Sequence, residues 1–313
     1  MVKNELLKAF LVLLIVIIAG VGVCVGAAES TNTPKLVKDV YPGLASGALA
    51  SARLVTLPSG VILHSGGAKL TQKDLDAEIA KAPESLRSEL KGNLFFVLEN
   101  KATRQLVVTQ ARDWAKRSSR KAGEPEPELL RAYFESLTDK LSITEDETRA
   151  FFQQNKDMMG DATYDQVKDQ LKEYVLNQKR QEVVDAHIKS IGTRTPIEID
   201  KAWAAKQYAS AMNNPVDKAR RSRKPSLVDF GADGCRPCDM MTPILESVKK
   251  EYAGKLTVIF VHVRKEQILA ARYGVQSIPV QVFFDKNGNE VFRHVGFFSK
   301  DQITAKLAQM GVK

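Results

Sequence analysis

The stretch Leu227-Val228-Asp229-Phe230-Gly231-Ala232-Asp233-Gly234-Cys235-Arg236-Pro237-Cys238 decides the reading of this chain. Ser226-Leu227-Val228-Asp229-Phe230 is an apolar run that predicts a buried strand, with Asp229 the only charge in it. Asp239 to Val248 has the apolar spacing of an amphipathic helix. A Cys-x-x-Cys at a strand-to-helix junction sets the first sulfur at the helix N-terminus and the second one turn inside. Unpaired N–H groups and the helix dipole favour a thiolate there. The second sulfur is close enough to close a small disulfide ring, which suits a dithiol that exchanges disulfides.

Two plainer explanations are weaker. A structural zinc site needs four ligands. The remaining cysteine is Cys24, inside an apolar segment, and His64, His187, His262 and His294 show no ligand spacing. No metal and no other cofactor is expected. A purely structural cross-link between Cys235 and Cys238 would remove little unfolded-chain entropy, because the ring it closes is so small. Asp229 reads as a buried carboxylate rather than a turn aspartate, because its neighbours are apolar.

At 313 residues the chain has room for two domains and a tail. The net charge of +9 is spread along it. The densest basic cluster, Lys218-Ala219-Arg220-Arg221-Ser222-Arg223-Lys224, lacks interleaved aromatics and reads as the solvated end of a helix. Nucleic acid is therefore not an expected partner. Three cysteines are too few for a disulfide-stapled scaffold.

Upstream, residues 1–28 read as a signal anchor or a signal peptide. Ala9 to Ala28 is uncharged and apolar, and as a helix it spans about 30 Å, a bilayer's hydrocarbon thickness. Lys3 and Lys8 precede it, which keeps the N-terminus in the cytoplasm and everything after Glu29 outside. The length of the run fits a retained anchor, whereas Val25-Gly26-Ala27 fits a cleavage site. Val23 is a poor match to the small residue that precedes a lipidated cysteine. The expected location is the inner membrane, facing the periplasm, or the periplasm itself if the segment is cut. Either permits disulfides.

Residues 29–52, with Pro34 and Pro42, read as a spacer, and 53–195 as an all-α domain after an opening hairpin. The hairpin would join Arg53–Leu57 to Val61–His64 around Pro58-Ser59-Gly60. From Leu70 to Ile191 the pattern is helical, with N-terminal caps at Thr71, Thr144 and Thr163 and a long helix from Asn93 to Arg117. Glu124-Pro125-Glu126-Pro127 breaks the next connection, and His187 falls on an apolar face as a core or boundary residue. Residues 196–313 alternate between strand and helix, which argues for an α/β domain with a mixed sheet.

Two resemblances sharpen this. Over about residues 197–313 the chain closely resembles thioredoxin, at Val228-Asp229-Phe230, Cys235-Arg236-Pro237-Cys238, Pro243, Tyr273-Gly274-Val275, Ser277-Ile278-Pro279 and Gly296. The resemblance implies that Cys235 attacks, that Cys238 resolves, and that the two form the redox-active disulfide. It also implies that Asp229 manages the resolving proton, while a cis Pro279 and the Ile278 backbone receive an extended substrate. Gly231 and Gly234 stand where thioredoxins carry tryptophans, which implies a flatter surface. Arg236 replaces a glycine, and with Pro237 it tunes the pair; its charge stabilises the thiolate, partly offset by Asp233.

Over about residues 60–195 the chain resembles the helical N-terminal domain of SurA-type periplasmic chaperones. The residues that carry this are Gly66-Gly67-Ala68-Lys69-Leu70-Thr71-Gln72-Lys73-Asp74-Leu75 and Ile143-Thr144-Glu145-Asp146-Glu147 through Phe151-Phe152-Gln153-Gln154-Asn155-Lys156. Lys156 leads within a few residues to the Thr163 cap, which leaves no room for that family's proline isomerase domain.

Together these imply an extracytoplasmic oxidoreductase acting on protein thiols and disulfides, inclined to reduction or isomerisation. Its helical domain would bind substrate, and a DsbD- or CcdA-like membrane protein would relay electrons to it. The alternative is a periplasmic holdase chaperone without isomerase activity.

Overall fold

The computed structural model describes residues 34–313 apart from positions 119, 121, 122 and 160, and at 157 and 158 the backbone alone. The apolar run Ala9–Ala28, its cleavage site and Cys24 lie outside the described residues. Among the described residues no helix is long and apolar enough to cross a membrane.

The chain enters through a single turn, α1 (Val37–Val40), and a 3-10 turn (Ala48–Ser51). Val37, Leu44, Leu49 and Ala52 are buried in the same core as Phe95 and Leu98, so residues 34–52 are not a spacer. Their scattered apolar residues show no helical or strand period, and only the tertiary partner reveals that they are packed.

Strands β1 (Arg53–Val55), β2 (Val61–Ser65) and β3 (Ala68–Thr71) come next. Six helices follow: α2 (Gln72–Lys81), α3 (Glu84–Gly92), α4 (Leu94–Arg117), α5 (Glu126–Thr138), α6 (Glu145–Gln154) and the single turn α7 (Lys156–Met159). The long α8 (Tyr164–Arg194) then returns to β4 (Ile197–Asp200). Thr71 with Asp74, Thr144 with Glu147 and Thr163 with Gln166 form capping boxes, each pairing two N–H groups that have no partner within the helix.

The all-α reading of this half is corrected by a four-stranded sheet of order β1-β4-β2-β3. The opening strands do not form a hairpin with each other. β4 lies between them, parallel to β1 and antiparallel to β2, while β2 turns back on β3. Ile197 and Ile199 point inward from β4 and join the core with Phe95 and Leu98. Helix α9 (Lys201–Ala211) adds Ala204 and Ala211 to that core, and Trp203 stacks on Phe95. Residues 196–211 therefore belong with the N-terminal half, and the expected break at 195/196 moves to the loop before α10 (Pro215–Arg220).

The second half is β5 (Ser226–Gly231), α11 (Arg236–Glu251), β6 (Thr257–His262), α12 (Gln267–Arg272), β7 (Val280–Phe284), β8 (Glu290–Val295) and α13 (Lys300–Gln309). Its sheet has the order β6-β5-β7-β8, with β5 and β6 parallel and the other pairs antiparallel. Alternate residues of β5 serve two cores. Leu227 packs with Met241, Leu245, Phe283 and Leu307 on one face; Val228 and Phe230 pack with Val261, Leu269 and Val282 on the other. Burial on both faces is why the strand reads as a continuous apolar run.

The halves are fastened by polar groups. The Arg272 guanidinium donates to the Ala211 carbonyl at 2.8 Å and the Gly43 carbonyl at 3.0 Å, and pairs with the buried Asp217 at 3.3 Å. The Ile268 N–H donates to the Glu89 carboxylate at 2.9 Å.

Candidate redox site

Gly234, at φ +75°, turns the chain from β5 into α11. Cys235 is the N-cap of α11, and the Cys238 N–H donates to its sulfur at 3.3 Å. Pro237 occupies the first turn, where its missing N–H would have had no helical partner. Cys235 and Cys238 are joined by a disulfide, with Cα atoms 5.2 Å apart. Cys238 is buried, whereas Cys235 is partly open and Arg236 is exposed beside it. The sulfur that can be reached is the one at the helix terminus.

The Ile278–Pro279 bond is cis, and the Ile278 carbonyl oxygen lies 3.9 Å from the Cys235 sulfur. The loop is held from behind by the Gly296 N–H, which donates to the Pro279 carbonyl at 2.8 Å. Thus Cys235, Ile278 and Pro279 are brought together although the last two lie far along the chain.

Asp229 is fully buried on β5. It lies two residues before Gly231 and so faces the same side of the strand. A Cβ built on Gly231 would sit 3.5 Å from the Cys238 sulfur, which puts the Asp229 carboxyl on the dithiol side of the sheet. Gln281, its cross-strand neighbour on β7, donates to Oδ1 at 2.7 Å. Oδ2 meets no protein partner. Burial pushes the Asp229 pKa up to about 6, and the Gln281 bond only partly opposes this. The site therefore holds a buried carboxyl able to take or give a proton near neutrality.

Three features escaped the sequence reading. Gln281 is fully buried, and the visible signal was a single polar residue inside the apolar run Val280–Phe284. Asp233 accepts a hydrogen bond from His262 at 3.0 Å; that bond holds its carboxyl below the usual range and commits it to His262. The space at Gly231 is not vacant, because the Phe260 ring would lie 2.9 Å from an added Cβ, whereas Gly234 does face open space. His187 is a half-buried boundary residue, bonded to the Tyr133 hydroxyl at 2.7 Å. Among the described residues no cluster could hold a metal ion.

Sheet order, dithiol and cis proline together define a thioredoxin-like domain. The thioredoxin family model matches residues 205–309. Thioredoxin from Alicyclobacillus acidocaldarius is 38% identical over 93 residues, covering 30% of this chain and 88% of that protein. Thioredoxin from Pseudomonas aeruginosa is 41% identical over 83 residues, covering 26% and 76%. A solved mutant thioredoxin from Halobacterium salinarum is 28% identical and covers 31% of this chain and 83% of its own, with a TM-score of 0.29. The chain belongs to the thioredoxin family through its C-terminal half. Its chemistry, in general terms, is that of a thiol–disulfide oxidoreductase.

Proposed function

We propose that the protein is an extracytoplasmic oxidoreductase of protein disulfides, inclined to reduction or isomerisation, whose helical half presents the substrate. The observation that carries this is the partly open Cys235 sulfur at the N-terminus of α11, beside the Ile278–Pro279 backbone and on the same side of the sheet as a buried carboxyl. The reduced enzyme acts in two steps. The Cys235 thiolate attacks a substrate disulfide, forming a mixed disulfide and releasing one substrate thiolate. Cys238 gives its proton to Asp229 and attacks the Cys235 sulfur, which closes the enzyme disulfide and releases the second substrate thiolate. Two electrons pass from the dithiol to the substrate. A dithiol donor must then return them; outside the membrane that calls for a DsbD- or CcdA-like relay. The charged-then-apolar N-terminal segment supports such a location.

A cleft of about 1400 Å³ supports the presenting role. Phe134, Phe151 and Tyr174 line it from the helices, and Gln276, Ser277 and His294 from the redox half, so it leads to the residue before Ile278. The resemblance to SurA-type chaperones suits an extended, unfolded segment there.

The same cleft favours a second reading, a holdase without isomerase activity. Thiol trapping in cells, glutathione titration and a client-aggregation assay separate the two. On the first reading the doubly substituted Cys235→Ala, Cys238→Ala chain loses disulfide exchange and cellular function together. If that chain still suppresses aggregation and fully supports the cell, the oxidoreductase reading is wrong.

A further inference from the structure

The sheet of the redox half ends at β6. The strand just before this half, β4, is committed to the other sheet, and nothing else among the described residues pairs with β6. Thr257 donates from its N–H to Pro225, and Val263 to Gly231. With β5 and β6 parallel in this register, Thr257, Ile259 and Val261 bond to β5. The N–H and C=O groups of Val258 and Phe260 therefore point off the edge. The strand Thr257-Val258-Ile259-Phe260-Val261-His262 holds no lysine, proline or acidic residue, the devices that blunt natural edges. Phe260 is 51% exposed.

Beside this edge is a cavity of about 290 Å³. Val258 and Phe260 line it from β6 and Thr242 and Leu245 from α11, with Cys238 among the lining residues. Asp239, Glu246 and Lys249 of α11 and Asp233 also border it, so side chains that enter it from an added strand must be uncharged or basic rather than acidic. A strand added to β6 would place alternate side chains over this cavity. The charges at its ends choose the partner. Lys255 precedes β6, Arg264 and Lys265 follow it, and all three are exposed; of the acidic groups at the same end, Asp233 is bonded to His262 and Glu266 begins the next turn. Antiparallel pairing of two copies would set Lys255 of one beside Arg264 and Lys265 of the other, which is repulsive. A strand with acidic ends would be attracted.

We propose that β6 is a docking edge for an extended segment of a partner protein, apolar at alternate residues and acidic at its ends, which adds as a fifth strand and fills the cavity beside Cys238. The proposal does not depend on the direction of disulfide exchange. Its test uses the full chain with Cys235→Ser and Cys238→Ser, so that no mixed disulfide can form.

The probe is a fluorescent, cysteine-free peptide, Asp-Glu-Val-Thr-Val-Thr-Val-Glu-Asp, followed by anisotropy. Saturable binding is expected, with slowed hydrogen exchange at the Val258 and Phe260 amides. N-methylation of one alternate set of peptide amides should weaken binding at least about tenfold, and of the other set hardly at all. Phe260→Pro removes an outward N–H without touching the β5 ladder and should have the same effect as the damaging set. Replacing the acidic ends by lysine should weaken binding further. Equal binding by both methylated peptides would overturn the proposal. So would unchanged exchange at Val258 and Phe260, or a dimer that Phe260→Pro abolishes.

Discussion

Asp229 is the residue where stability and chemistry pull in opposite directions. Its folded pKa, about 6, lies above its ordinary value of 3.8, because a buried carboxylate is poorly solvated. The folded chain thus holds the proton more tightly than the unfolded chain. The group's stabilising share is full below about pH 4 and is lost as pH rises through about 6. Asp229→Asn should leave stability unchanged at pH 4 and raise it by about 2–3 kcal/mol at pH 8, read from urea unfolding at both values. It should also slow closure of the enzyme disulfide by about a hundredfold, measured by stopped flow, since an amide cannot take the proton from Cys238. Faster or unchanged closure would remove Asp229 from the mechanism. The proposed role of Arg236 is a tuning of the pair by charge. Asp233 is bonded to His262, so on that proposal it offsets the guanidinium little. Arg236→Gly should lower the reduction potential by roughly 15–30 mV, a three- to tenfold change in the exchange constant, read in glutathione equilibrium. An unchanged or raised value would contradict this.

Among the elements, α8 shows how a helix can require a residue that helices disfavour. A Cβ on Gly192 would overlap the backbone carbonyl of Ala48, so the close approach of α8 to the 3-10 turn depends on its absence. Alanine gains about 1 kcal/mol in helix propensity over glycine, whereas forcing backbones apart costs about 1–3 kcal/mol. With a whole peptide group in the way, the clash should win. Gly192→Ala should lower the urea midpoint, and a higher midpoint would mean that residues 34–52 pack weakly on α8. The capping boxes and the helix at the dithiol were legible in sequence because they join residues three or four apart. The sheet of the N-terminal half was not, because Arg53 and Glu198 pair across the whole helical excursion. No local period reports such a pairing.

For the whole molecule, the junction between the halves rests on Arg272, which ties α12 to Ala211, Gly43 and Asp217. Removing one partner of a buried pair leaves the other charged and poorly solvated. Asp217 keeps Arg220 at 3.4 Å and the Tyr273 hydroxyl at 2.7 Å, so the loss is partial. Arg272→Ala should cost about 3 kcal/mol and speed proteolysis between α9 and α10, while the glutathione equilibrium of Cys235 and Cys238 stays the same. A shifted equilibrium would show that the junction reaches the dithiol.

The residues of the redox half spelled out its strand and helix order, the dithiol at a helix terminus and the buried carboxylate, while the proline loop came from the resemblance to thioredoxin. The first three are written in short stretches whose spacing follows from local geometry. Only the tertiary structure decided where β4 pairs, that residues 34–52 are core, that Gln281 holds Asp229, and that Phe260 covers Gly231 beside an open edge. These depend on which surfaces meet after the chain has folded back on itself. Burial and strand pairing act between residues distant in sequence, and no pattern within one segment encodes its partner.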